Sequence, residues 1–295
     1  MTFALSTSPL ALPEPFDGVL TAMIALDTIS EPLDALAATL DPAEQTRAAS
    51  LRSGLHRARF ICRRWWRTQF IARTFNLAPA DIRITHDALG CPTITAPHHL
   101  THIHLSTASA GNIAALALAP HRRLGIDLAH IDPAHATLDA ARIFMHPDEL
   151  AAHAALPPTA QPQHFFQLWT RKEALLKALG TGFATNPQTI DTRPDTIMLP
   201  SPNTVIPPSP GAVALPSRNT VALPSPNALK SPAPIHLTNL ALDPADPAHT
   251  AALAIHPPHA TDPQAQGSQS LGSPTTLPQA QGSQSLGSPT TLSGW

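Results

Sequence analysis

Gln163-His164-Phe165-Phe166-Gln167-Leu168-Trp169-Thr170-Arg171-Lys172-Glu173-Ala174-Leu175-Leu176-Lys177-Ala178-Leu179-Gly180-Thr181-Gly182 is the run from which the rest of the chain can be read. Phe165, Leu168, Leu175 and Leu179 recur at helical spacing, no proline interrupts them, and Gly180 and Gly182 supply a left-handed stop. The spacing predicts a helix over 163–179. Lys172 fills the one gap in the apolar stripe, where an ammonium is costly unless an anion meets it. Glu173 and Lys177 lie one turn apart on a neighbouring face, so a carboxylate and an ammonium converge on one small volume. Alone, such a pair is a common surface feature worth about 0.2–0.5 kcal/mol.

A second stretch gives the pair more weight. Leu124-Gly125-Ile126-Asp127-Leu128-Ala129-His130 is an apolar, strand-forming run that carries one acid, after a glycine that lets another backbone or a ligand approach closely. An acid in such a run is not there for packing. Strand alternation puts His130 on the face opposite Asp127.

Together, Gly125-Ile126-Asp127 and the later Trp169-Thr170-Arg171-Lys172-Glu173-Ala174-Leu175-Leu176-Lys177-Ala178-Leu179-Gly180 resemble the paired signature of the phosphopantetheinyl transferases of the Sfp type. The resemblance extends more loosely from about Leu40 to Pro257. It implies an α/β (α+β) protein of two similar lobes related by a pseudo-two-fold axis, with the active site in the cleft between them. The N-terminal lobe would span 1–118 and the C-terminal lobe, with a metal site, 119–257. The implied activity is transfer of the 4'-phosphopantetheine arm of coenzyme A to a serine of an apo acyl or peptidyl carrier protein. By the same resemblance Asp127 and Glu173 would hold Mg2+, Glu173 would accept the serine proton, and Lys177 would neutralise the departing nucleotide. Lys172 would contact coenzyme A, and Arg67, with Arg63 next, would hold its ribose phosphate.

Three positions depart from the family pattern. Cys91 stands where a lysine is usual, Ala129 where a second strand acid is common, and Thr107 where a histidine approaches the coenzyme phosphates; Ser106 or Thr107 would donate a hydrogen bond instead. These departures keep open a second reading, a catalytically weakened or inactive coenzyme A-binding homologue. A third, a basic-helix nucleic-acid binder, is disfavoured by a net charge of −2.

The basic residues are nonetheless concentrated. Nine of the 18 Lys and Arg lie between Arg47 and Arg83, interleaved with Phe60, Ile61, Trp65, Trp66 and Phe70, and Arg63 and Arg67 share a helix face. Guanidinium forks suit phosphate oxygens. Asp41-Pro42-Ala43-Glu44 opens this segment as a helix start, and helix is expected from there past Phe75. Strands are expected over 18–25, 82–86, 93–95, 103–106, 113–119, 235–242 and 250–255, and helices within 27–40, over 133–146 and from His146-Pro147-Asp148-Glu149. His98, His99, His102 and His104 do not all share one face, so they do not read as a metal site.

The chain has 295 residues, of which 34 are proline. Leu199-Pro-Ser-Pro-Asn-Thr-Val, Leu215-Pro-Ser-Arg-Asn-Thr-Val and Leu223-Pro-Ser-Pro-Asn repeat one phrase within an irregular insertion at about 194–233. Pro263–Leu277 recurs as Pro278–Leu292, a polar tail expected to be disordered and dispensable from 258 onwards. Two cysteines give no disulfide framework, the N-terminus lacks the basic region of a secretory signal, and the longest apolar run, Ile113–Ala119, is far below the ~20 residues that cross a bilayer. A cytoplasmic monomer with no membrane or nucleic-acid partner is expected.

Overall fold

The structure is a computed structural model; it describes Leu12 and residues 16–87, 90–181, 185–198, 234–240, 242 and 248–256. The repeated phrases from Leu199 and the duplicated tail lie outside the described residues.

Two antiparallel sheets form the centre. The first has the order β1 (Leu20–Ala25), β5 (Ile113–Pro120), β4 (Ile103–Ala110), β3 (Pro92–Ala96), β2 (Arg83–His86). The second has the order β6 (Leu124–His130), β9 (His249–Ile255), β8 (Ile235–Leu240), β7 (Thr196–Ile197). Helices α1 (Leu33–Ala38), α2 (Pro42–Ser50) and α3 (Gly54–Thr74) belong to the first unit, while α4 (Leu138–Phe144), α5 (Pro147–Ala154) and α6 (Gln161–Leu179) belong to the second.

Side-chain alternation sets the layers. Along β5, Ala114, Leu116 and Leu118 pack with Phe60, Trp66 and Phe70 of α3, while Ala115, Ala117 and Ala119 face Leu124, Ile126 and Leu128 of β6 and Leu253 of β9. Alanine on that second face lets the two sheets approach. On the far face of the second sheet Ala252 and Ala254 of β9 and Leu237 of β8 meet Ala174, Leu175, Ala178 and Leu179 of α6. The order is therefore helices, sheet, sheet, helix.

Local chemistry accounts for the boundaries. Asp41 caps α2 by accepting hydrogen bonds from the Ala43 and Glu44 amides, both at 2.9 Å. The single arginine-rich helix expected past Phe75 is two helices, because Leu51 turns extended and Ser53 caps α3 anew at the His56 amide. Likewise α4 is confined to 138–144: Asp132 accepts from the Ala134 amide in a turn, and Thr137 then caps the helix at the Ala140 amide. The strand expected to stop at Ser106 runs on to Ala110, and Gly111, at φ 54°, turns the chain with Asn112 into β5. The short strand β7 falls inside the stretch expected to be irregular from about 194. At the end of α6, Gly180 adopts φ 67° and donates its amide to the Leu176 carbonyl at 3.0 Å.

Candidate active site

Asp127 sits on β6 on the face that meets α6. Two residues earlier, Gly125 explains the contact: a Cβ there would stand 2.0 Å from the Ala174 carbonyl oxygen and 2.6 Å from the Ala178 amide nitrogen. Only glycine lets α6 cross β6 at this depth. The crossing brings the Lys177 ammonium to Asp127, with Nζ donating to Oδ1 at 2.6 Å and to the Ile126 carbonyl at 3.0 Å. Burial pushes the Asp127 carboxyl up despite the Lys177 charge. Glu173, one turn before Lys177 and half-buried, is also pushed up, by burial first and by the charge of Asp127 second. The Asp127 charge is thus felt by Glu173 across the contact between strand and helix.

A cavity of about 260 Å3 opens beside Asp127, lined among others by Arg63, Arg64, Trp66 and Arg67 of α3, Thr107 and Ser109 of β4, and Asp127 and Lys177. Arg63 donates to the Ser109 hydroxyl. Arg67 is buried and paired with Glu44 at 2.8 Å, yet its Nε and Nη1 are enclosed with no acceptor among the described residues. Burial lowers its pKa to about 10, the strain of a guanidinium held out of water with the Arg64 charge nearby. A larger cavity of about 1110 Å3 adjoins α2, α3 and β2, lined among others by Arg47, Phe60, Trp65, Arg83 and His86, and shares Arg64 and Arg67 with the smaller one. Asp127 and Lys177 line the smaller; Glu173, one turn before Lys177, lines neither.

Two expected contacts are corrected. The Lys172 ammonium, 3% exposed, donates to Glu149 at 2.8 Å, to the Pro187 carbonyl at 2.8 Å and to the Ile190 carbonyl at 2.5 Å. All three protons are engaged, so none is left for a coenzyme. Ser106 turns away from the cavity, and its hydroxyl accepts from the Ile126 amide at 3.1 Å, fastening one sheet to the other. Its neighbour Thr107 and, beyond the expected strand end, Ser109 are the hydroxyls of β4 that line the cavity. Ala129, on the Asp127 face, is buried, and among the described residues neither Asp127 nor Glu173 belongs to a group of three potential metal ligands. The one three-ligand cluster that does occur there, His146, Asp148 and Asp191, has Asp191 forked by Arg193.

Comparison with known proteins fits this geometry. The family model described as the 4'-phosphopantetheinyl transferase superfamily matches residues 123–213, the span that holds Asp127, Glu173 and Lys177. The 4'-phosphopantetheinyl transferase HetI of Nostoc sp. is 30% identical over 161 residues, which is 55% of this chain and 68% of that protein. This chain belongs to the 4'-phosphopantetheinyl transferase superfamily. A 4'-phosphopantetheinyl transferase of Bacillus subtilis is also 30% identical, over 113 residues, 38% of this chain and 48% of its own length. Membership makes the chain a transferase with an α+β fold. Among the described residues no helix is long and apolar enough to cross a membrane.

Proposed function

We propose that the protein transfers the 4'-phosphopantetheine arm of coenzyme A to a serine of an acyl or peptidyl carrier protein, with Mg2+ held by Asp127 and Glu173. The observation that carries this reading is the buried Asp127, joined to Lys177 at 2.6 Å on the wall of a cavity lined by Arg63, Arg64 and Arg67, with Glu173 one helical turn from Lys177 and its carboxyl raised by burial and by the Asp127 charge. A hard divalent ion takes oxygen ligands, needs only one or two protein acids, and completes its shell with water and substrate phosphate. The donor set fits that ion, which when bound would neutralise charge on the coenzyme pyrophosphate.

The residues of the chain do the rest. The serine oxygen forms a bond to the phosphorus that bears the pantetheine arm, the bond from that phosphorus to the bridging oxygen breaks, and adenosine 3',5'-bisphosphate leaves. Glu173, with its raised proton affinity, accepts the serine proton. Lys177 compensates the negative charge gathering on the 5'-phosphate of the leaving nucleotide. Arg63, held by Ser109, and Arg67, with two unmatched donors, favour phosphate groups of the coenzyme in the adjoining cavities. The protein acts in the cytoplasm as a monomer on this reading.

A catalytically weakened coenzyme A-binding homologue is the competing reading, favoured by Ala129 in place of a third ligand. Incubation with coenzyme A, magnesium and several apo carrier proteins separates the two. Addition of a phosphopantetheine arm, seen by mass spectrometry, supports the transferase; coenzyme A binding with every carrier unmodified supports the competitor.

A further inference from the structure

Glu149 is the most deeply buried acid among the described residues, at 0% exposure, and it lies on α5, away from the cavity. Its two oxygens accept four hydrogen bonds. Oε1 takes the Thr192 amide at 2.6 Å and the Thr192 hydroxyl at 2.7 Å; Oε2 takes the His146 amide at 2.8 Å and the Lys172 ammonium at 2.8 Å. Lys172 in turn spends its other two protons on carbonyls of 187–190. Next to it Arg171 grips the following segment, donating to the Thr192 carbonyl at 2.6 Å and the Pro194 carbonyl at 2.8 Å. One side of α6 is thus bound to α5 and to residues 187–194 by ion pairs and hydrogen bonds.

The other side of α6 meets Gly125, where the helix backbone fills the place of a Cβ. Lys172 and Glu173 are consecutive, so a helix rotation that loosened one would move the other by the same angle. A buried ion pair of this kind adds little net stability over an apolar pair of equal volume, and its best-attested use is to fix register. Resting on the function proposed above, we infer that Glu149 is a positioning residue: through Lys172 it sets the rotation of α6 and so the placement of Glu173 and Lys177 against Asp127.

The test is Glu149→Gln, which keeps size and one acceptor while removing the charge, compared with the parent and with Lys172→Met. Circular dichroism and thermal melting give the folded fraction; kcat, the KM for the carrier, Mn2+ affinity and amide hydrogen exchange are then measured well below the melting point. The expected result is kcat and Mn2+ affinity each lower by about ten- to a hundredfold, with the carrier KM unchanged. Exchange should rise over 170–178 and stay as in the parent over 60–72. A folded Glu149→Gln protein with parental kcat, Mn2+ affinity and exchange overturns the inference, as does a loss of activity equal to the unfolded fraction. Should Glu149→Gln not fold, the same readings on Lys172→Met decide. A parent that transfers nothing overturns the proposed activity alone, and exchange over 170–178 then tests Glu149 by itself.

Discussion

At the scale of single residues, Gly125 and Asp127 do different work from the same strand. Gly125 lets α6 in, and Asp127 uses the proximity. Gly125→Ala would place a methyl group against the Ala174 carbonyl, a backbone atom that cannot swing aside. The helix must lift, at a cost of about 1–3 kcal/mol, and transfer should fall with it; urea unfolding beside a carrier-modification assay checks both. Ser106→Ala should behave otherwise. It leaves the buried Ile126 amide without its acceptor, for about 1–3 kcal/mol, but touches nothing in the cavity, so the KM for coenzyme A should not change. Asp127 and Glu173 could be singled out from sequence because an acid in an apolar strand, and a charged pair beside an apolar stripe, break the packing pattern. The need of Lys172 for an anion is legible in the same way, since it interrupts an apolar stripe. It could not name Glu149, since a pairing between separate helices leaves no spacing to read. Ser109 was missed because the strand that carries it was expected to end at Ser106; three further residues of alternation put it on the cavity side.

Among the elements, α6 is held along its length by contacts that differ in chemistry. Near its start, His164 stacks on His153 of α5, with ring centroids 5.4 Å apart and Nδ1 atoms 3.2 Å apart. That contact needs one nitrogen to donate and the other to accept, so double protonation breaks it. Burial lowers the pKa of both, and the charge of His153 lowers His164 further. With the folded values below the unfolded value of 6.5, the unfolded chain binds more protons in between, and stability falls as pH drops through that window. Thermal melting should therefore be constant above about pH 6.5 and decline below it, with a smaller decline in His164→Gln; an equal decline in both proteins would refute the assignment. Strong periodicity made α6 and the strands β5 and β6 readable. The break between α2 and α3 was not, because the side-chain cap at Ser53 competes with a helical pattern that continues through it.

For the whole molecule, the decisive feature is the contact between the two sheets. It rests on Ala115, Ala117 and Ala119 against Leu124, Ile126, Leu128 and Leu253, and it brings α3 from one side and α6 from the other to a single cavity. Ala117→Leu should force the sheets apart, cost about 1–3 kcal/mol, and reduce transfer more than it reduces coenzyme A binding. Denaturant unfolding with calorimetric titration of coenzyme A checks both parts. An alternating Ala and Leu strand signals burial on two faces, but which sheet covers the alanines is decided by pairings far apart in the chain, β6 with β9 among them.

On the proposed function, an acid on β6 and an acid on α6 grip one divalent ion. Calorimetric titration of Mn2+ into the parent protein, Asp127→Asn and Glu173→Gln measures that grip. One ion per parent chain, with binding lost in both variants while their circular dichroism stays parental, is the predicted result. Parental binding in either folded variant would contradict it.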